Sequence, residues 1–487
     1  MTDTTPPVRE IDMADRMSEH EALMWNIEKD PWLNPSGGGL FVFDRPIDVD
    51  RLRARMRVAV ADLPRFTQRV QPGLGRLSTP AWVPDPEFDF GSHFRVMTLP
   101  RPGTHRQLLD VAAQLYMEPF DRTRPLWRMV VIEGLESGQG ALWSMMHHAI
   151  SDGIGQLRIA EMFQDIERDV PRSPDIDLER IVAEAAAAHR QKEAGGDLGS
   201  SLAAATAGSL GHLARRIGGS ARRTAGEVAM WPADPSRVGE KFGEVAAVVS
   251  ETAAQLTHEV EEGEGAPLWR ERSRHRHLET VTVPLDELKA ASKAAGATVN
   301  AAFVAAMTDA AIRYHADRGE SFETLNVSFV MSTRTDDKAG GNAFTPVLVH
   351  LPADRRVVVD RLTGTAEILD EAREAAGRSG GFTALSGIVN LLPTSVVTRT
   401  ARSQAAKIDL ATSNLRGAPI PLYIGGARVE YSVTMGPLAG TPCNATALSY
   451  CNNFDIGLFI DPVAIREPAA FRQCVVDAFD DILDTIR

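Results

Sequence analysis

The strongest chemical signal in this chain is a histidine pair followed by an Asp-Gly step: His147-His148-Ala149-Ile150-Ser151-Asp152-Gly153. An imidazole with an ordinary pKa near 6.5 is mostly neutral at cytosolic pH. It can therefore take the proton of an alcohol as the oxygen attacks a thioester, which is general base catalysis without a covalent enzyme intermediate. The pair sits at the end of an apolar, strand-like run. Successive strand side chains point to opposite faces, so only one of the two histidines can face a given cavity. The bland alternative is two unrelated histidines at a strand end, and the fixed offsets of Asp152 and Gly153 argue against it. Other chemistries find little support. Gly377-Arg378-Ser379-Gly380-Gly381 matches G-x-S-x-G by letter, but it follows the helical ILDEAREAA, whereas a nucleophile elbow needs a strand before its serine. The sequence contains neither H-E-x-x-H nor G-x-x-x-x-G-K-[ST], so a zinc hydrolase and a P-loop enzyme lose their usual support.

The elements that must position these residues can be read from periodicity. In the first part, LFVF (Leu40 to Phe43), WRMVVIEGL and ALWSMMHH read as strands. Val49 to Leu63 and HRQLLDVAAQLYM read as amphipathic helices, and a further helix follows Gly153 and Gly155. A comparable region opens near His277: HLETVTVPL is strand-like, LDELKAASKAAGATVNAAFVAAMTDAAIRYHA is helical, and TLNVSFVMSTR and TPVLVHLPA are strands. Strands mixed with helices in both halves predict an α/β layered fold. The expected divisions are 1–167, a helical linker over 168–276, and 277–487. The linker is rich in Ala, Gly, Ser and Glu, and within it Arg215, Arg216, Arg222 and Arg223 form a basic stretch. That stretch is either a solvated helix or a contact with an anionic lipid surface.

HHAISDG resembles the HHxxxDG signature of the bacterial wax ester synthase/acyl-CoA:diacylglycerol acyltransferase family, which is related to chloramphenicol acetyltransferase and to peptide-synthetase condensation domains. PRFTQRV, FDFGSHFRVMTLPRPG, EPFDRTRPLW, GATVN, GNAF, SNLRGAP and ALSYCNNFDIGLFID resemble the same family's landmarks in its order. The resemblance implies two chloramphenicol-acetyltransferase-like mixed-sheet subdomains with the active site at their interface. It makes His148 the base and Gly153 a space beside it. Asp152 then holds the loop through an ion pair, with Arg334 as the partner; alternatively, Arg334 is a solvated residue paired with Asp336 or Asp337. Pro125-Leu126-Trp127 matches the PLW motif, with Trp127 either plain core or a contact near the tunnel. Asn300 matches the first residue of the family's Asn-Asp motif, whose second is Ala301 here. Asn342 lies in GNAF, and Asn414 and Gly417 lie in a segment whose family proline falls on Ala418.

On this reading the substrates are acyl-CoA and a hydroxyl acceptor, either diacylglycerol or a long-chain fatty alcohol. No cofactor and no metal are needed. Rival readings are a same-fold enzyme with a polyketide or glycolipid acceptor, and a non-catalytic lipid-droplet scaffold. The composition is compatible: 44% hydrophobic residues can fill more than one core, and 65 acidic against 52 basic residues disfavour nucleic acid as a partner. Cys443, Cys451 and Cys474 form neither a disulfide framework nor a zinc site by spacing, which predicts a reducing, cytosolic compartment. No run of about eighteen apolar residues appears, so contact with membranes or lipid droplets is expected to be peripheral.

Overall fold

The computed structural model describes residues 14–73, 78–194, 265–332, 344–354, 357–378, 390 and 393–487. The strands are β1 (Ser36–Phe43), β2 (Gln68–Gln71), β3 (Ala81–Pro84), β4 (Phe94–Thr98), β5 (Trp127–Glu133), β6 (Gly140–His147), β7 (His277–Pro284), β8 (Thr324–Ser332), β9 (Phe344–Pro352), β10 (Leu410–Arg416), β11 (Tyr423–Ile424), β12 (Ala427–Met435), β13 (Cys443–Tyr450) and β14 (Asn453–Ile460). The helices are α1 (Glu19–Ile27), α2 (Val49–Asp62), α3 (Phe90–His93), α4 (His105–Met117), α5 (Gly153–Ala160), α6 (Leu178–Ala194), α7 (Leu285–Ala294), α8 (Val299–Ala316), α9 (Val358–Arg378), α10 (Thr394–Ala406) and α11 (Pro468–Asp484).

Two mixed sheets carry the architecture. The first runs in the order β11-β12-β1-β6-β5-β4 and the second in the order β7-β14-β13-β10-β8-β9, with β2 and β3 as a separate hairpin. Each sheet has its own apolar core, with Trp143 and Phe43 in one and Phe303 and Phe454 in the other. The two sheets do not divide the chain at a single point. β11 and β12, which follow β10 in sequence, cross over to complete the first sheet, with β12 pairing antiparallel to β1 from Gly38↔Met435 to Phe43↔Val429. This exchange brings the sheets together. The amide of Ser432 in β12 and the hydroxyl of Thr282 in β7 both donate to the buried carboxylate of Asp455 in β14, at 3.2 and 2.7 Å. Burial pushes that carboxyl up to about 6.

Local signals set the helices. Ser18 and Glu21 form a capping box at α1, and Thr104 and Gln107 form one at α4. The helical run after Leu285 is broken at Gly296, which has φ +69°, a conformation glycine adopts at little cost. Among the described residues no single helix is long and apolar enough to cross a membrane. α7 and α8 pass on composition only as a pair bent by 92°. α8 is apolar because it is a core helix, with Ala302, Phe303, Val304 and Met307 all fully buried. α6 packs on α2, where Arg57 binds Glu179 and donates to the Ile176 carbonyl at 3.2 Å. The basic stretch from Arg215 to Arg223 lies outside the described residues.

Candidate active site

β6 ends at His147, and the following turn is built on that side chain. Its carbonyl accepts from Ile150 N at 2.9 Å, and its Nδ1 accepts from Ala149 N at 2.8 Å. With Nδ1 an acceptor, the hydrogen of a neutral ring is on Nε2, which lies 3.5 Å from the Glu28 carboxylate. Glu28 also binds Arg122 at 2.5 Å, and the Arg122 guanidinium stacks 3.3 Å over Trp25. Burial works against the Glu28 carboxylate, but His147 and Arg122 outweigh it and hold its pKa below the ordinary value. His147 is fully buried and does not line the central cavity.

His148 does. Its backbone amide donates to Pro35 O at 3.0 Å, and its ring faces a cavity of ≈ 290 Å³ between the two sheets. Burial, with a smaller contribution from His147, lowers its pKa to about 4, against the opposing pull of Asp152. The imidazole is therefore neutral, and able to accept a proton, at and above about pH 5. The Gln156 side-chain amide lies 3.4 Å from His148 Nδ1 and donates to Ser151 O at 3.1 Å. Gly37 supports the ring from below: a Cβ built there would meet His148 Cε1 at 2.7 Å.

Asp152 is buried and caps α5, its Oδ1 accepting from Gly155 N at 2.9 Å. Gly153, the first residue of α5, lines the cavity and faces β10, where an added Cβ would stand 3.4 Å from Leu415 Cδ2. The second sheet contributes the facing wall. Ser328 of β8, Ala411, Ser413 and Leu415 of β10, and Asn444, Thr446 and Leu448 of β13 line it along paired strands, and Val330 of β8 lines it beyond the pairing. β8 pairs with β10 only over Leu410 to Thr412, and where the two strands part, Asn414 lies exposed on the cavity rim.

Several sequence expectations change here. Asn300 is half-buried in the first turn of α8 and does not line the cavity, while Thr298 caps that helix by accepting from Ala301 N at 3.1 Å. Gly417 also falls outside the cavity. It packs on β13, where a Cβ would meet Ser449 O at 2.5 Å, so its role is close backbone approach. Pro125 and Leu126 are buried behind the site, and Leu126 O receives the His147 amide at 3.0 Å. Trp127 unites both readings: it stacks on Phe66 at 4.7 Å and on His93 at 4.8 Å, donates to Phe66 O at 2.9 Å, and lines the cavity. Arg334, Asn342 and Ser379 lie outside the described residues, and Arg378 is the last residue of α9. Sequence reasoning missed Gly37, Gln156, Glu28 and Tyr116, whose hydroxyl contacts the carbonyls of Ser36 and Gly436. The one available signal was the Ser-Gly-Gly-Gly run leading into LFVF. Among the described residues no cluster of His, Cys, Asp and Glu could hold a metal ion.

Residues 17–303 match the wax ester synthase/diacylglycerol acyltransferase catalytic domain, and residues 340–483 match the C-terminal domain of the same family. A putative diacylglycerol O-acyltransferase of Mycobacterium tuberculosis is 26% identical over 473 residues, which is 97% of this chain and 92% of that protein. A second putative diacylglycerol O-acyltransferase of the same species is 29% identical over 422 residues, covering 83% of this chain and 82% of that protein. The wax ester synthase/diacylglycerol acyltransferase from Marinobacter aquaeolei VT8 superposes with a TM-score of 0.62 at 21% identity, over 96% of this chain and 98% of that one. The first condensation domain of the CDA synthetase superposes with a TM-score of 0.53 at 15% identity, over 97% and 98%. The fold is thus the chloramphenicol-acetyltransferase-like pair of mixed sheets.

Proposed function

Because the chain belongs to the wax ester synthase/diacylglycerol acyltransferase family and is an acyltransferase, we propose that it moves a long-chain acyl group from coenzyme A to the hydroxyl of diacylglycerol or of a long-chain alcohol, with His148 as the general base. The observation that supports this most is the His148 imidazole, its pKa lowered by burial, facing a largely apolar cavity between two sheets. In the step proposed, the acceptor oxygen attacks the thioester carbonyl carbon while its proton passes to His148. The C–S bond then breaks, and His148 returns the proton to the departing coenzyme A sulfur. The products are an ester and the free thiol, so atoms and charge balance with no cofactor. Apolar walls exclude water, which would otherwise compete as an acceptor.

His147, Asp152 and Gln156 act by position in this reading. His147 fixes the turn, Asp152 caps the helix that follows, and Gln156 orients the ring. Diacylglycerol and fatty alcohols reside in lipid phases, so the reading includes peripheral contact with a membrane or droplet surface, tested by flotation with liposomes.

The deciding experiment is thiol release from acyl-CoA by the purified protein with a panel of acceptors, wild type beside His148→Ala. Transfer to diacylglycerol or a fatty alcohol, falling by about 10²- to 10⁴-fold in a folded variant, is the expected result. Near-normal turnover by His148→Ala would remove the base assignment. Transfer only to a polyketide or glycolipid alcohol would change the acceptor, and no transfer to any acceptor would favour the scaffold reading.

A further inference from the structure

From His148 the cavity continues along the first sheet, and its floor there is made of glycine. Gly37, Gly39 and Phe41 of β1 share one face, since strand side chains alternate. Gly37 sits under the His148 ring, and Gly39 comes next, flanked by Ser144 of β6 and Thr434 of β12. Gln156 lies over Gly37, where an added Cβ would be 3.0 Å from its Oε1, so α5, with Ile159, and Phe163 in the turn after it roof this face.

The glycines of this strand differ in what they do. A Cβ on Gly38, on the opposite face, would meet Ser144 O at 2.5 Å, so that position is glycine because backbone packs against it. Gly39 has no such constraint. Its φ is not in the left-handed region, and the nearest atoms to an added Cβ would be Phe41 Cε2 at 3.5 Å, Phe41 Cζ at 3.7 Å and Val433 O at 3.8 Å, all ordinary contacts. Glycine weakens a strand interior, and here the backbone does not demand it. What its missing side chain leaves is cavity.

Phe41 ends this trough. Its ring lies back towards Gly39, and the next residues in its row, Leu142 of β6 and Val131 of β5, are 0% and 1% exposed and take no part in the cavity. Because the Phe41 ring reaches back to Gly39, the open floor runs from Gly37 to Gly39, roughly 7 Å at about 3.3 Å per residue. A narrow slot of that shape, opening beside His148 and closed by an aromatic ring, suits a linear alkyl chain and offers little room to a branched group.

We propose that the trough over Gly37 and Gly39 is the subsite for the alkyl chain of one substrate, and that Phe41 sets the length of chain it takes. This rests on the acyltransferase reading above. The chain could belong to the acyl donor or to the acceptor alcohol, and two series of assays separate them. One uses short, medium and long saturated acyl-CoAs with one alcohol; the other uses alcohols of graded length with one acyl-CoA.

In the series that reports the trough, Phe41→Ala and the milder Phe41→Leu raise the ratio of kcat/KM for long over medium chains, by about 10-fold or more for the alanine variant. Gly39→Val lowers the ratio of long over short chains by a similar factor. A general loss of stability would scale all substrates together and leave the ratios unmoved. Ratios within about twofold of wild type in both series, from variants that keep the wild-type near-UV circular dichroism, overturn the trough. Should Phe41→Ala fail to fold, Phe41→Leu and Gly39→Val test the same point. A wild-type protein that transfers to no alcohol sinks the acyltransferase reading itself, whereas normal wild-type turnover with unmoved ratios sinks only the subsite.

Discussion

Replacing Gly37 by alanine should disable this protein without unfolding it. An alanine Cβ at that position would stand 2.7 Å from His148 Cε1, while two carbons in contact sit about 3.5 to 4.0 Å apart. The imidazole must retreat by roughly 0.8 Å or more to restore that spacing, and little allows it to do so freely. Its backbone amide is fixed to Pro35 O at 3.0 Å, and the Gln156 amide occupies the Nδ1 edge at 3.4 Å. Misplacing a reacting group by about 1 Å costs on the order of 10²-fold in rate, or ~2.7 kcal/mol of activation free energy. The strand itself should tolerate the methyl, because alanine is the better residue in a strand with ordinary dihedrals. The assay is thiol release from saturating acyl-CoA and alcohol, alongside thermal unfolding and a direct measurement of acyl-CoA binding. The expected result is a Tm within a few degrees of wild type and kcat down by about 10². A folded Gly37→Ala protein with kcat within about threefold of wild type would refute the reasoning, because the clash would then be absorbed without moving the base.

Four further predictions rest on the site and on the packing around it. With the His148 pKa lowered to about 4 by burial, kcat/KM should stay flat as pH falls to about 5 and decline only as the ring protonates towards pH 4; Gln156→Glu places a carboxylate beside Nδ1, favours the imidazolium, and should move that acid limb to higher pH. Glu28→Ala leaves Arg122 and the His147 Nε2 edge without their carboxylate and should cost roughly 2 to 3 kcal/mol in chemical denaturation, less than a fully buried pair because the Arg122 side chain is 29% exposed. Gly457→Ala would drive a Cβ into Thr434 O across the sheet junction, and since backbone must give way, Tm should fall by an amount corresponding to about 3 kcal/mol or more, with activity lost in parallel.

Much of this molecule is written locally. The amphipathic period of Val49–Asp62 and His105–Met117, the apolar runs of β5, β6 and β7, and the placement of the histidine pair at a strand end all follow from side-chain alternation and capping, which act over a few residues. Local reading fails where a residue's use depends on a distant neighbour. The apolar pattern predicts the strand beginning at Ser36 only from Leu40 onward, because three glycines disfavour a strand on their own. They are accommodated because Ser144 O, the His148 ring and the cavity each occupy the space where a side chain would stand.

Alternation by itself shows that only one of His147 and His148 can face a given cavity, but not which of them does so. That choice depends on Glu28, Trp25 and Arg122, which lie far away in sequence and enclose His147, and on the second sheet, which leaves the cavity open on the side of His148. The same long-range closure separates Asn414 from Asn300. Both are motif asparagines, yet one stands where β8 and β10 part and the other begins a helix on the far side of its sheet. β12 could not be assigned to the first sheet from its residues, because a strand's period gives its faces and says nothing of its neighbours. The sequence thus determined the reactive groups and the elements that bear them. The packing of one sheet against the other decided which groups meet, because burial and the shape of the remaining space are properties of that contact and of no single segment.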